Sequence, residues 1–372
     1  MTGHKKIIII GGGLSGLTSS ILLQKAGYEV TLFEKKRYPF HRVCGEYISN
    51  EAWPFLESLG IRLAELKPSQ ITRLSITSQR GRELLTNLSM GGFGLSRYKL
   101  DDQLYQHAQR LGVTFLFEKV IDIQFKNGSF EITSENGIHH STIAIAAYGK
   151  RSNLDQKLKR SFFYNRSPYL GVKYHIKTDL PDNLIRLDNF NGGYSGVCKI
   201  EDEKFNLCYL SQTVNLKKHE GISDMEEQVL YKNPFLKHLF KNSEFIYKKP
   251  EVINEISFEP KTLIEDHLLF CGDSAGMITP LCGNGMAIAF HSAKILSECI
   301  INSTQGNNLN RQAMERDYKE RWSNEFTLRL TSGRIIQRLF GSPLLAELAV
   351  TAMKNLPALN QIIVKKTHGK VF

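Results

Sequence analysis

The sequence predicts an α/β (α+β) chain: a parallel β-α-β unit opens it, a mostly antiparallel sheet fills its middle, and helices close it. Three observations predict this. An apolar β-branched run, Ile7 to Ile10, leads directly into Gly11, Gly13 and Gly16 and then a helical pattern. Short alternating runs with turn signals occupy residues 70–98 and 165–255. A second glycine-bearing loop, from Gly272-Asp273 to Gly285, precedes another helical pattern.

The opening unit is the most informative stretch. Four consecutive isoleucines suit a strand buried on both faces. Leu17, Ile21 and Leu22 share one face of the following helix, Gly27 ends it, and a second strand runs from Glu29 to Phe33. The glycines stand at G-x-G-x-x-G spacing. Gly11 permits a tight turn, Gly13 lets the backbone approach a pyrophosphate, and Gly16 lets helix and strand pack closely. The helix N-terminus offers free N–H groups and a positive dipole end to phosphates. Glu34, at the end of the second strand, is placed to accept from both ribose hydroxyls and disfavours a 2′-phosphate. Strand, glycines, helix, second strand and acid together indicate a Rossmann-like domain for FAD or NAD(H) rather than NADP(H).

Composition bounds the rest. The chain has 372 residues, enough for two or three domains, with 41% hydrophobic and 23% charged residues and a net charge of +11. The basic residues are scattered in short pairs such as Lys217-Lys218, Lys248-Lys249 and Lys365-Lys366, with no basic helix or RNA-binding aromatic motif, so nucleic acid is not an expected partner. None of the six cysteines forms a C-x-x-C or a Cys/His zinc spacing, so no metal is expected and a reduced, cytoplasmic protein fits. No apolar stretch approaches bilayer-spanning length.

In chain order, Pro39 marks a loop, and Arg42-Val43-Cys44-Gly45-Glu46 leads to a helix from about Asn50 to Leu59. A hairpin over 70–98 turns at Arg80-Gly81 and ends in a flexible stretch, Gly91 to Gly94. Residues 99–111 form an amphipathic helix on which His107 is packed rather than catalytic. Strands follow at Val113 to Phe117, Val120 to Phe125, Phe130 to Ser134 and Thr142 to Ala147, with Asn127-Gly128 and Asn136-Gly137 as turns. Residues 165–255 build an antiparallel sheet with a pocket on one face, interrupted by a helix near 223–241. Leu268 to Cys271 is a short buried strand; a helix starts near Met286, its N-terminus suited to a ring that becomes anionic on reduction. The tail from 305 is helical, broken at Pro343 and Pro357, and its amphipathic basic segments dock on the body in preference to peripheral membrane contact.

Over roughly residues 5–300 the chain resembles the FAD-dependent oxidoreductases of the p-hydroxybenzoate hydroxylase fold, on the glycine fingerprint, on SRYKLDDQL (96–104) and on GDSAGMITPLCGNG (272–285). The resemblance implies that Gly11, Gly13, Leu14, Ser15 and Gly16 hold the pyrophosphate, and that Glu34, with Lys35 beside it, holds the adenosine ribose. Val120 would meet the adenine. Arg42 and Arg97 would lie near the cofactor, Asp273 on the ribityl chain, and Gly283, Asn284, Gly285 and Met286 at the flavin ring. Within that fold, RVCGEYIS (42–49) resembles the geranylgeranyl reductase branch, in which the cysteine lies beside the flavin in the substrate cavity. This makes Cys44 a candidate catalytic residue. GGYSGVCKI stands where that branch has Y-x-W-x-F-P: Tyr194 matches as a second candidate, and Gly196 replaces the tryptophan. Tyr148-Gly149 replaces the Asp-Gly of aromatic hydroxylases, and with only Trp53 and Trp322 the chain lacks the halogenase W-x-W-x-I-P.

The resulting reading is discontinuous. Residues 1–69, 99–164 and 256–304 form an FAD-binding domain, 70–98 and 165–255 a substrate-binding sheet, and 305–372 a helical region. The expected activity is flavin-dependent reduction of C=C bonds in an apolar small molecule, with NAD(P)H or a reduced carrier as electron donor. A monooxygenase is the alternative, and a nucleotide-binding module without turnover the non-enzyme alternative.

Overall fold

The computed structural model describes residues 5–165, 167–279, 284–306, 308–340, 343–355 and 370–372. Two large sheets organise them. The first has six strands in the order Ile264–Glu265, Leu268–Phe270, Ile143–Ala146, Lys6–Ile10, Glu29–Phe33, Thr114–Leu116. All its pairs are parallel except the first. Ile7 to Ile10 are at most 5% exposed, which is why this strand reads as a continuous apolar run and lies at the centre. Helices Leu14–Lys25 and Gly285–Asn302 pack against one another, and Arg97–Arg110 packs on the former. Strands Lys6–Ile10 and Ile143–Ala146 lie side by side, and from their ends at Ile10 and Ala146 the sheet continues toward opposite edges. That topological switch point is where sheets of this kind open a ligand crevice.

The second sheet runs Glu244–Phe245, Tyr169–Lys177, Phe205–Gln212, Gly193–Lys199, Leu184–Phe190, Ser69–Thr77, Glu83–Gly94, Tyr47–Ser49, with Glu251–Ile256 also paired to Tyr169–Lys177. Its pairs are antiparallel except Leu184–Phe190 with Ser69–Thr77. Side chains alternate strictly. Leu170, Val172, Phe190, Phe205, Leu207 and Tyr209 pack against the helices Ile222–Val229 and Pro234–Asn242 on the back face. Lys173, His175, Gly196, Cys198 and Cys208 point the other way. The Asn127-Gly128 turn has both residues at positive φ, as a two-residue hairpin turn of type I′ requires.

Three expectations are corrected. The Gly91–Gly94 stretch is not a flexible loop but the end of strand Glu83–Gly94, paired with both Tyr47–Ser49 and Ser69–Thr77. Glycine is needed there because a Cβ on Gly94 would run into the Lys199 carbonyl. Tyr47–Ser49, read from sequence as part of the nucleotide-binding unit, joins this second sheet. The helix expected near 223–241 is two helices. Asn233 accepts from the N–H of Phe235 (2.9 Å) and caps a new start with Pro234 at its first position.

The tail docks on the body. Tyr318, Trp322 and Phe326 of helix Arg311–Phe340 are buried in the core of the first sheet, and Tyr318 donates to the Phe270 carbonyl at 2.6 Å. Ala346, Val350 and Met353 of helix Pro343–Asn355 pack over Leu74, Ile76, Ile185 and Leu187 of the second sheet. Pro357 lies outside the described residues. Among the described residues no helix is long and apolar enough to cross a membrane.

Candidate active site

The site is built where the two sheets face each other. Gly11 sits at φ +106°, and a Cβ there would lie 2.5 Å from the Ala147 carbonyl oxygen, so both the turn and the approach of the neighbouring strand demand glycine. Helix Leu14–Lys25 starts at Gly13 with no side-chain cap, leaving its first-turn N–H groups to a ligand. Gly272, at φ +67°, packs directly on the Ser15 side chain, and Ser15 Oγ donates to the Cys271 carbonyl at 3.5 Å. The second glycine turn, which carries Asp273, is thereby fixed on the first turn of the fingerprint helix.

Charge is organised around this cradle. Glu34 accepts from the N–H groups of Gly12 (3.1 Å) and Lys36 (3.2 Å) and pairs with Arg42 at 3.1 Å. Arg42 also pairs with Asp101 at 2.9 Å and donates to the Gly12 carbonyl at 3.1 Å. Arg97 grips the same Asp101 through two bonds of 2.6 and 2.8 Å. Burial pushes the Asp273 carboxyl up, against the pull of Lys261, Arg97 and Lys150.

The segment 42–46 is held at nearly every residue. Lys173 Nζ donates to the Arg42 carbonyl (3.1 Å), Asn206 Nδ2 to the Cys44 carbonyl (3.1 Å), and Cys198 Sγ to the Gly45 carbonyl (3.7 Å). The buried Glu46 carboxylate takes Lys173 at 2.5 Å, His175 at 2.8 Å and the Arg97 backbone N–H at 2.8 Å. Burial works to raise its pKa, but Lys173 and His175 prevail and hold it at about 2. Burial pushes the Cys44 thiol up, opposed by the nearby Arg97 guanidinium. Cys44 is therefore a thiol, not a thiolate, at neutral pH.

One cavity of about 1300 Å³ joins these parts. Gly11, Gly13, Leu14, Ser15, Glu34, Lys35, Arg42, Arg97, Val120, Asp273, Gly285 and Met286 line it, together with both catalytic candidates, Cys44 and Tyr194. Gly16 does not: it packs helix against strand, where a Cβ would strike the Gly11 carbonyl. Asn284 is buried at the start of helix Gly285–Asn302 behind the wall, and Gly283 lies outside the described residues. The volume exceeds the roughly 300–1,000 Å³ typical of a pocket for one small ligand, so cofactor and substrate fit together. The uncapped helix, the glycine cradle and the polar groups at both ends suit FAD. Among the described residues no cluster of His, Cys, Asp or Glu could hold a metal ion.

Sequence reasoning missed the polar side of the sheet. Lys173 and His175 stand on the cavity parity of YLGVKYHIK, but alternation alone does not tell a cavity face from a solvent face. It also missed Lys150, which lines the cavity, and Lys261, which donates to the Lys150 (2.8 Å) and Asp273 (2.7 Å) carbonyls. Burial lowers both ammonium groups to about 8.

A Rossmann-like unit whose switch point opens into a deep chamber under a second sheet defines a flavin-dependent oxidoreductase. Residues 4–321 match the FAD binding domain family, and the chain belongs to it. It is 22% identical over 380 residues to conditioned medium factor receptor 1 of Dictyostelium discoideum, covering 89% of this chain and 71% of that protein. It is 23% identical over 332 residues to digeranylgeranylglycerophospholipid reductase 2 of Methanothermobacter thermautotrophicus, covering 85% and 82%. Other relatives are named kynurenine 3-monooxygenase (Flavobacterium johnsoniae) and tryptophan 2-halogenase (Chondromyces crocatus). Among solved structures, the flavin-dependent brominase Bmp2 superposes with a TM-score of 0.79 at 19% identity, over 98% of this chain and 93% of that one. The protein is an FAD-dependent oxidoreductase of the p-hydroxybenzoate hydroxylase fold.

Proposed function

We propose that this enzyme reduces C=C bonds in an apolar substrate of prenyl or polyketide type. One observation carries the reading: the cavity runs from the cofactor cradle, past the half-buried Cys44 thiol, into a chamber walled by Leu74, Ile76, Ile185, Leu187 and Met353. Bound FAD, once reduced, supplies a hydride. The chain supplies the rest. The chamber's apolar walls orient a hydrocarbon and exclude water. Cys44 holds the proton that the second carbon of the double bond needs, with Tyr194, 4% exposed and on the same cavity, as the other donor. Electrons come from NAD(P)H or a reduced carrier, which anaerobic titration with NADH and NADPH distinguishes.

The test is anaerobic. Protein reduced with dithionite is mixed with geranylgeraniol. The proposal expects oxidised-flavin absorbance to return without oxygen and the product to gain two hydrogens. Return of absorbance only on admitting oxygen, with a product heavier by one oxygen atom, would establish the alternative, a monooxygenase, which the kynurenine 3-monooxygenase relative favours.

A further inference from the structure

The floor of the chamber belongs to one face of the second sheet, whose residues stand in register. Ile76, Leu187, Gly196, Cys208 and Lys173 stand side by side across five strands. Next to them run Leu74, Ile185, Cys198, Asn206 and His175. Each row is apolar at the end roofed by helix Pro343–Asn355 and polar at the end that binds the Cys44 segment. Gly196 lies between the two ends and is the one residue in these rows without a side chain.

Its backbone does not require glycine. Gly196 is not among the positive-φ residues, and a mid-strand glycine weakens a sheet. Nor does a neighbour crowd it: a Cβ would meet Leu187 Cδ2 at 3.4 Å and the Cys208 carbonyl at 3.9 Å, ordinary contacts. What the missing side chain leaves is open cavity. On the opposite wall Ala349 and Ala352 are also small.

We propose that Gly196 is the passage of a chain-binding subsite. A long hydrocarbon chain lies along the cavity wall formed by Ile185, Leu187, Ala349 and Met353, and crosses Gly196 to bring its reacting end beside Cys44. The proposal rests on the apolar-substrate reading but not on turnover, so its test is binding alone.

The FAD-loaded protein is titrated with octanol, dodecanol and hexadecanol, following the perturbation of the flavin absorbance. In the unmodified protein affinity rises at least about tenfold from octanol to dodecanol, as added buried methylenes require. Gly196→Leu removes that gain, and Gly196→Ala keeps most of it. Ala349→Leu, which fills the same lane from the roof, reproduces the loss should Gly196→Leu not fold. FAD content stays equal in all variants. Binding that does not depend on chain length, or Gly196→Leu and Ala349→Leu proteins that bind dodecanol as the unmodified protein does, would overturn the subsite. A protein that shows these binding changes but fails to reduce geranylgeraniol keeps the subsite and loses only the reaction.

Discussion

Cys44 and Glu46 lie two residues apart and do opposite things. The thiol is kept protonated by burial, and the carboxylate is kept ionised by Lys173 and His175. If Cys44 is the proton donor, the alkaline limb of turnover lies above the ordinary thiol pKa, because its folded pKa is raised. Cys44→Ala removes that limb and lowers kcat, and Cys44→Ala and Tyr194→Phe proteins that both keep full turnover with FAD bound would exclude the assignment. Glu46→Ala leaves a buried lysine without its carboxylate and is expected to cost about 3–5 kcal/mol, read from denaturant unfolding. The pH dependence has a definite sign. The folded pKa of Glu46 is depressed, so its contribution is complete above the unfolded value of 4.5 and is lost as pH falls toward about 2. Glu46→Ala flattens that part of the stability curve. The place of Cys44 on the cavity wall was legible in the sequence because its segment resembles a known pattern; Lys173 and His175 were not, because a lysine and a histidine at alternate strand positions read equally well as a wet face.

Elements were legible where local chemistry decides them and misread where a distant backbone does. The fingerprint unit, strand by helix by strand, follows from patterning and glycine spacing alone. Gly91–Gly94 reads locally as a loose loop, yet the Lys199 main chain, a hundred residues away, makes it a tightly packed strand end. Gly94→Ala is therefore expected to cost about 1–3 kcal/mol through overpacking. Gly45→Ala, with nothing within 4 Å of its Cβ, stays within about 0.5 kcal/mol. Thermal or denaturant unfolding of the two variants checks the contrast, and equal costs would refute it. The single helix expected near 223–241 missed Pro234, whose start is set by Asn233 reaching Thr77, Ser78 and Asn189 on the sheet.

At the scale of the whole molecule, two sheets distant in sequence order close on one cavity, and a tail helix roofs it. Pattern and resemblance supplied the two glycine turns and the order of parts. They placed a pocket on one face of the second sheet but not the side chains that wall it, because the facing of its strands depends on which side the back helices cover. The account turns on a single FAD held at one end by Gly13 and at the other by Asp273. Titration of Asp273→Ala apoprotein with FAD and with ADP tests this most directly. The account predicts that FAD affinity falls at least about tenfold, as loss of a charged hydrogen-bond acceptor entails, while ADP affinity is unchanged. Equal losses for both ligands, or unchanged FAD affinity, would contradict it.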